Sequence, residues 1–298
     1  MKAAQSPLAG AVWVVIAMAL FAGITALGRH LALAGIDPLQ VLFFRNFFCV
    51  VLMVPLLVWR GSSLYRTNQL SLYGTRVAIS FLSMMAMFQA VALIPIGEVT
   101  AIGFLSPIFA TLFAILLLGE RVRLRRWLAL LVGLVGAMII LQPTAGAPPG
   151  LGQLFALVSA FAVGIIGPLV KKLTLTDDPD RVVFITNALL TPLSLIPALF
   201  VWAWPPLDLY PALLGLGATA VLGHMAFVRG YAATDASLVA TYKFVRLPFA
   251  VLIGYLAFGE TIALTTWVGG FIIFSAAAYI THREMRLQRR GSADQPGA

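Results

Sequence analysis

The amino-acid sequence predicts an all-α membrane protein with ten transmembrane helices, arranged as two inverted five-helix repeats (5+5). Three observations lead to this fold class: an apolar composition, a succession of ten apolar stretches, and a resemblance between the two halves of the chain. The 298 residues are 61% hydrophobic and only 10% charged, whereas a soluble domain has about 25% charged residues. So few charges could not cover a soluble surface, which excludes a soluble enzyme, a disordered protein and a disulfide scaffold.

The apolar stretches have the length that a membrane requires. A bilayer core about 30 Å thick needs roughly 20 mostly apolar residues per helix. Short turns rich in Pro, Gly or Asp separate the stretches and leave no room for a second, soluble domain. The predicted spans are residues 8–28, 38–58, 70–93, 98–118, 127–142, 151–170, 182–203, 209–230, 237–258 and 263–281.

The Lys and Arg residues predict the orientation. If the N-terminus is cytoplasmic, fourteen of the 20 Lys and Arg fall in cytoplasmic segments and only Arg29 falls on the opposite side. Cytoplasmic loops of membrane proteins collect positive residues in this way. We therefore expect both termini in the cytoplasm. The net charge of +9 is interpreted as topology and not as a nucleic-acid surface.

The two halves of the chain repeat each other at an offset of about 140 residues. The matching features are Asp37-Pro38 with Asp178-Pro179, Asn46 with Asn187, Pro107 with Pro248, and Gly119-Glu120 with Gly259-Glu260. Each half has five spans, an odd number, so the second copy crosses the membrane in the opposite sense. The chain is thus divided into a first repeat (1–146), a second, inverted repeat (147–282) and a basic cytoplasmic tail (283–298). Many secondary transporters have this architecture, with a substrate site near the midplane.

Two blocks, Ser106–Leu141 and Arg246–Glu260, resemble the drug/metabolite transporter superfamily and specifically its ten-helix EamA-type permeases. The most specific part is a proline followed by Gly-Glu at similar spacing in both halves, Pro107 with Gly119-Glu120 and Pro248 with Gly259-Glu260, and the resemblance covers about residues 8–282. It implies alternating-access transport of small metabolites across the bacterial inner membrane, frequently outward. Cargoes of such proteins include amino acids, S-adenosylmethionine, flavins, nucleotide-linked compounds and drugs.

Four basic residues lie too deep in the predicted spans to reach water easily. Arg45, Arg76, Lys243 and Arg246 are six to nine residues from a span end, which corresponds to roughly 9–14 Å of helix. A charge at such a depth costs about 2.5–3.5 kcal/mol and usually faces a cavity or a partner. Lys243 and Arg246, three positions apart, share one helical face. We expect all four residues to line a substrate cavity.

Acidic residues that could neutralise these charges are scarce within the spans. Only Glu98 lies close to the membrane interior, where it is a candidate for ion coupling. The substrate would then supply the negative charge as a carboxylate or phosphate, which the planar fork of Arg binds well. In the alternative interpretation, Arg45, Arg76 and Arg246 hold helices together by bonding backbone carbonyls freed around Pro107 and Pro248.

Further residues complete the predicted site. Gln89 could line the cavity, and Trp13 and Tyr242 could stack on a substrate, although most aromatic residues of such a chain simply pack. Pro107 and Pro248 each interrupt a helix ladder, which permits either a pair of hinges or two static kinks.

The leading functional prediction is an inner-membrane exporter or exchanger of small carboxylate-bearing metabolites, such as amino acids or S-adenosylmethionine. The alternatives are a drug or riboflavin-like flavin transporter with structural basic residues, and an accessory membrane subunit. The sequence has neither a catalytic constellation nor a metal-ligand cluster nor a Walker A motif, so no enzyme activity, metal or cofactor is expected. The expected partners are a small-molecule substrate and membrane lipid, without nucleic acid; the choice between monomer and homodimer stays open.

Overall fold

The structure, a computed structural model, describes residues 7–94, 99, 102–103, 105–120, 122, 124–141, 150–258, 264, 268–269, 271–272, 275 and 279. All regular elements bounded within these residues are helices. The α-helices are α1 (Pro7–Leu33), α2 (Pro38–Arg60), α3 (Leu70–Leu93), α4 (Ser106–Leu118), α5 (Leu124–Leu141), α6 (Leu151–Leu173), α7 (Pro179–Phe200), α8 (Tyr210–Ala233), α9 (Ala236–Tyr242) and α10 (Arg246–Phe258). Short 3₁₀ helices cover Gly61–Leu64, Leu207–Leu209 and Lys243–Val245.

Six helical stretches of the described chain are long and apolar enough to cross a membrane. They are Leu8–Leu33, Pro38–Leu64, Leu70–Leu93, Leu151–Leu173, Pro179–Phe200 and Leu207–Ala233. Shorter apolar helices cover Ser106–Leu118 and Trp127–Gly136. The all-α membrane class is therefore confirmed, whereas the total of ten spans stays a prediction. The predicted ninth span comprises α9, a 3₁₀ helix and α10, and most of the predicted tenth lies outside the described residues.

The two Asp-Pro motifs begin equivalent helices. The Asp37 carboxylate accepts a hydrogen bond from the Leu39 backbone N–H at 2.8 Å, and Asp178 accepts one from the Asp180 N–H at 2.9 Å. The proline that follows each Asp occupies the first helical turn, where its missing N–H removes no helical hydrogen bond. The same local sequence thus forms the same N-terminal cap in α2 and in α7.

Helix packing follows a reciprocal pattern. α1 packs on α8 as α3 packs on α6, and α1 packs on α10 as α4 packs on α6. α2 and α7 pack on each other. The counterparts in the two halves are α1 and α6, α2 and α7, α3 and α8, and α4 and α10. When each helix is replaced by its counterpart, every one of these packed pairs becomes a pair of the same set. The predicted boundary between residues 146 and 147 and the predicted tail 283–298 lie outside the described residues.

Glycines allow close approach between these helices. A Cβ added at Gly217 of α8 would lie 2.4 Å from the Cβ of Phe48 in α2, and one at Gly164 of α6 would lie 2.4 Å from the Cβ of Phe109 in α4. Small residues at contacts of this kind let membrane helices pack backbone against backbone. At these two crossings the backbones of α8 and α2, and those of α6 and α4, therefore lie close together.

One end of the helices carries a network of ion pairs, which we call the ion-paired end. Its members are Arg60, Asp177, Asp178, Asp180, Arg181 and Arg229, joined by the pairs Arg60–Asp178 (3.0 Å), Arg60–Asp180 (3.2 Å), Arg181–Asp177 (3.1 Å) and Arg229–Asp180 (2.6 Å). The buried Tyr73 hydroxyl donates to Asp177 at 2.9 Å. The network links the C-terminal ends of α2 and α8 to the N-terminal ends of α3 and α7.

Two further charged residues near helix ends satisfy backbone groups. The buried Lys171 ammonium donates to the carbonyls of Tyr231 (2.9 Å) and Thr234 (2.7 Å), at the C-terminal end of α8. Glu120 accepts a hydrogen bond from the Ala236 N–H, at 2.9 Å, where α9 begins. Unpaired carbonyls at a helix C-terminus and unpaired N–H groups at an N-terminus attract such partners. The first Gly-Glu motif therefore stabilises a helix end.

Candidate functional site

A central cavity of about 220 Å³ lies between the two halves of the chain. Residues from α1, α2, α3, α4, α6, α7, α8, the Lys243–Val245 turn and α10 line it. Along α3 the lining extends from Arg76 to Val91, a helical rise of roughly 22 Å. Arg76 lies one turn beyond Tyr73, so the cavity begins next to the ion-paired end and extends away from it.

The four deep basic residues converge on this cavity. Arg45, Arg76, Lys243 and Arg246 all belong to its lining. Two come from each half of the chain. Their counterparts at an offset of 141 residues are Thr186, Gly217, Ile102 and Leu105. The helices therefore have counterparts in both halves, but none of the four basic residues has a basic residue at its equivalent position.

Arg45 is the centre of a buried polar network. Its guanidinium donates to the side-chain carbonyls of Asn46 at 2.6 Å and Asn187 at 3.2 Å, and it also contacts Nε2 of His224. Asn46 in turn donates to the Ser194 hydroxyl of α7 at 3.2 Å. A guanidinium only donates hydrogen bonds, so the His224 nitrogen accepts. The network ties α2, α7 and α8 together beside the cavity.

Arg76 and Arg246 bond neutral groups of the opposite half. Arg76 donates to the Val182 carbonyl at 3.1 Å and to the Thr186 hydroxyl at 2.6 Å. Arg246 donates to the Phe21 carbonyl at 3.3 Å and also contacts the Thr25 hydroxyl. Each of these two arginines bonds a backbone carbonyl, on α7 and on α1 and not next to Pro107 or Pro248. The choice between the substrate-binding and the structural interpretation stays open.

Lys243 differs from the three arginines. Its side chain is buried, and its Nζ atom has no hydrogen-bond partner among the described residues. The ammonium lies 5.7 Å from the centre of the Phe227 ring, within the range of a cation–π contact. Arg76 Nε is likewise buried without a partner in the described chain. The cavity thus contains hydrogen-bond donors that the described protein does not satisfy.

Aromatic rings and thioethers form much of the remaining wall. The Phe21 ring lies 5.2 Å from the His224 ring and 5.4 Å from the Phe227 ring. Phe88 and three methionines, Met18, Met84 and Met87, also line the cavity. Hydroxyl groups contribute as well: Ser83 and Ser159 lie 3.3 Å apart on facing helices. Such a wall offers flat apolar surfaces together with hydrogen-bonding groups.

The described lining contains no Asp or Glu. The acids Asp177, Asp178 and Asp180 form ion pairs at the ion-paired end and not in the cavity. In the described residues no group of three His, Cys, Asp or Glu is placed to hold a metal ion. Glu98, the candidate for ion coupling, lies outside the described residues.

Three of the predicted substrate-binding residues lie outside the lining. Gln89 follows Met87 and Phe88 but points off the face that lines the cavity, since α3 turns about 100° per residue. Tyr242 is buried in the hydrophobic core one residue before Lys243. Trp13 is 38% exposed, and the guanidinium of Arg229 lies over its ring at 5.6 Å. None of the three side chains belongs to the described lining that the four basic residues share.

The two predicted hinge prolines both stand in the first turn of a helix. Pro107 is the second residue of α4 and lines the cavity. Pro248 is the third residue of α10 and follows the 3₁₀ helix Lys243–Val245. A proline in a first turn is tolerated without loss of a helical hydrogen bond, so the interruption of the ninth predicted span precedes Pro248. A 3₁₀ stretch within a helix often marks a hinge, which keeps the hinge prediction open.

Comparison with known proteins identifies the family. The profile of the EamA-like transporter family matches residues 8–142 and, separately, residues 150–282. This chain belongs to the EamA-like transporter family. The predicted membership is confirmed, and with it the class of multi-span membrane transporter; family and relatives alike are described as transporters and not as enzymes.

Individual relatives of this EamA-like transporter match it along nearly its whole length. It is 32% identical over 294 residues to a protein of Vibrio cholerae named riboflavin transporter, with 97% of this chain and 98% of that protein covered. It is 23% identical over 274 residues to a Rickettsia bellii protein named S-adenosylmethionine uptake transporter, with coverages of 92% and 94%. A solved crystal structure that is 18% identical superimposes with a TM-score of 0.77 over 96% of this chain and 99% of that one, which shows a common fold.

Sequence reasoning missed several lining residues of this EamA-like transporter. One of them is His224, which bonds Arg45 inside the cavity. An ionisable residue within an apolar span is itself a signal of function, and that signal could have found it. Phe21, Phe88 and Phe227 carry no comparable signal, because apolar spans are rich in phenylalanine.

Proposed function

We propose that this EamA-like transporter moves flavins, above all riboflavin, across the bacterial inner membrane by alternating access. The observation that carries the proposal is the composition of the cavity wall. Phenylalanine rings and methionine thioethers stand beside four cationic side chains and several hydroxyls, and the described lining has no acid. A flavin combines a planar aromatic ring system with carbonyl oxygens and ring nitrogens that accept hydrogen bonds, and riboflavin adds a chain of hydroxyl groups.

The donors of the cavity suit such a molecule. Lys243 Nζ and Arg76 Nε have no partner in the described chain and could donate to acceptor atoms of a flavin, on its ring or on its side chain. Phe21, Phe88 and Phe227 offer surfaces for the ring system, because offset stacking of aromatic rings is favourable. The full-length similarity to a protein named riboflavin transporter supports this assignment.

The charge of the cavity distinguishes between the cargoes named for the relatives. S-adenosylmethionine carries a sulfonium, an ammonium and a carboxylate group and has a net positive charge, so four protein cations without a lining acid would disfavour it. Amino acids and other carboxylate-bearing metabolites are the second candidate cargo, and one observation favours them: Lys243 has no partner in the described chain, which a substrate carboxylate would provide.

The proposed transport cycle uses the two halves of the chain. Two inverted five-helix repeats with both termini in the cytoplasm would place the ion-paired end on the cytoplasmic side and the cavity on the outer side of it. Access from the cytoplasm would then require the ion pairs of Asp178 and Asp180 to separate, and Pro107 and Pro248 would mark the helix segments that move. The reciprocal packing of the helices supports this arrangement.

The test is a counterflow experiment with the purified chain in liposomes. Labelled riboflavin should exchange saturably, and unlabelled riboflavin should compete better than S-adenosylmethionine, aromatic amino acids or a lipophilic cation. Phe21→Ala should weaken riboflavin exchange by about tenfold, because it removes an aromatic surface of the cavity wall. Phe161→Ala is the matched control, since Phe161 is 46% exposed and outside the lining. Exchange of an amino acid without riboflavin would refute the flavin assignment, and no exchange of any compound would favour an accessory subunit.

A further inference from the structure

We propose that Lys243 anchors an oxyanion, a phosphate group, inside the cavity. The side chain is 7% exposed, lines the cavity and has no hydrogen-bond partner for its ammonium among the described residues. This inference rests on the proposed function and deepens it. The flavin that enters the cavity either bears a negative group or is accompanied by a small anion.

The other well-buried lysine of the described chain shows that burial alone does not account for Lys243. Lys171 is also 7% exposed, but its ammonium donates to two backbone carbonyls, at 2.9 Å and 2.7 Å. A buried ammonium without such partners is costly. A cost of this kind is offset when the group binds a ligand, as with the basic and acidic residues of transport pathways.

The surroundings of Lys243 favour an anion over other ligands. Phe227 offers a cation–π contact at 5.7 Å, which does not satisfy the three N–H groups of an ammonium. The same cavity holds Arg45, Arg76 and Arg246, and the described lining contains no Asp or Glu. A metal ion or an organic cation would be repelled. A phosphate or carboxylate has several acceptor oxygens and can take hydrogen bonds from more than one cation.

The 3₁₀ turn determines where these donors lie. Residues at positions i and i+3 eclipse each other in a 3₁₀ helix, and the turn covers Lys243–Val245 immediately before Arg246. Both Lys243 and Arg246 consequently face the cavity. Arg246 has partners on α1, which leaves Lys243 as the member of the pair that is available to a ligand.

Two sources of the oxyanion can be separated by experiment. The first is the phosphate of flavin mononucleotide, and the second is free inorganic phosphate that binds together with riboflavin. The purified full chain in detergent is titrated with each flavin, with and without phosphate, and binding is measured by quenching of flavin fluorescence. The variants are Lys243→Gln, Lys243→Arg, and Lys172→Gln as the control, since Lys172 is exposed on α6.

A phosphate on the cargo predicts that the wild type binds flavin mononucleotide at least about tenfold more tightly than riboflavin. A free phosphate predicts that added phosphate tightens riboflavin binding by a similar factor. Lys243→Gln should abolish whichever effect is present, while Lys243→Arg and Lys172→Gln retain it. If folded Lys243→Gln keeps the wild-type dependence on phosphate, or the wild type shows none, the oxyanion site is refuted while riboflavin binding can still stand.

The oxyanion site can also be tested if no flavin binds at all, an outcome that overturns the flavin assignment alone. Inorganic phosphate should then raise the melting temperature of the wild type and of Lys172→Gln but not that of Lys243→Gln. An equal rise in all three proteins, or no rise in the wild type, would refute the site independently of the cargo.

Discussion

The ion-paired end and the cavity both contain arginines, but the arginines of the two regions bond different kinds of partner. At the ion-paired end, Arg60, Arg181 and Arg229 each meet a carboxylate at 2.6–3.2 Å. In the cavity, Arg45 and Arg76 meet amides, hydroxyls, an imidazole and a backbone carbonyl. The two regions lie on the same helices, only a few turns apart.

The partners determine whether the positive charge of the arginines in each region is compensated. A carboxylate partner neutralises an arginine and fixes two helix ends to each other. Neutral partners hold an arginine in place but leave its positive charge uncompensated, so the field of the cavity remains positive. The ion-paired end is thus suited to closing one side of the molecule, and the cavity is suited to attracting an electron-rich or anionic ligand.

The largest effect is expected from replacing Arg45. This replacement tests whether transport depends on the contacts between Arg45 and its neutral partners. Arg45→Gln shortens the side chain and removes its charge, which breaks the contacts to Asn187 and His224. Riboflavin counterflow should fall by about 100-fold or more, because bonds to charged groups contribute about 1.5–3 kcal/mol each. Arg66→Gln in an exposed turn is the control. A folded Arg45→Gln protein with wild-type exchange would show that the network does not support the site.

A smaller effect is expected at the ion-paired end. The Asp180 side chain is 6% exposed and accepts from Arg60 and Arg229. Asp180→Asn should lower the apparent melting temperature of the detergent-solubilised protein by roughly 4–8 °C, since two arginines lose a charged partner. Asp208→Asn, at an exposed position, should leave it unchanged. Equal melting temperatures for wild type and Asp180→Asn would mean that these ion pairs do not hold the helix ends together.

The smallest expected effect is a difference between the two regions in how the stability of their variants depends on salt. Arg60 is 33% exposed in its ion pairs, and raising NaCl from 0.1 to 1 M shortens the screening length from about 10 to 3 Å. The stability deficit of Arg60→Gln relative to wild type should therefore shrink in high salt. The deficit of Arg76→Gln should persist, because Arg76 is buried and bonds neutral groups. Parallel behaviour of the two variants would remove the distinction between the regions.

Periodic and local signals predicted much of the fold. The long apolar stretches became helices, and the repeated Asp-Pro motif became two equivalent N-terminal caps. Both features depend on residues close in sequence. The position of the interruption at Lys243–Val245 was harder to predict. Pro248 indicated a break at the proline itself, whereas the chain forms a 3₁₀ helix just before it.

The candidate site could be predicted for those residues whose depth within a predicted span was the criterion. Arg45, Arg76, Lys243 and Arg246 were selected because charges avoid lipid, and all four line the cavity. Gln89, Trp13 and Tyr242 were selected by residue type, and they lie elsewhere. Polarity or aromatic character does not tell which way a side chain faces when every face of the helix is apolar enough for a membrane.

The sequence by itself determined that the chain is an all-α membrane protein with a duplicated pattern and four deep positive charges, because apolar length, repetition and charge are properties of residues in order. Only the tertiary structure decided which of these charges are partnered. Arg76 of α3 reaches Val182 and Thr186 of α7, and Arg246 reaches Phe21 of α1. Lys243, on the same turn as Arg246, has no partner in the described chain. Contacts between residues more than 100 positions apart depend on how the helices pack, and no local pattern encodes them.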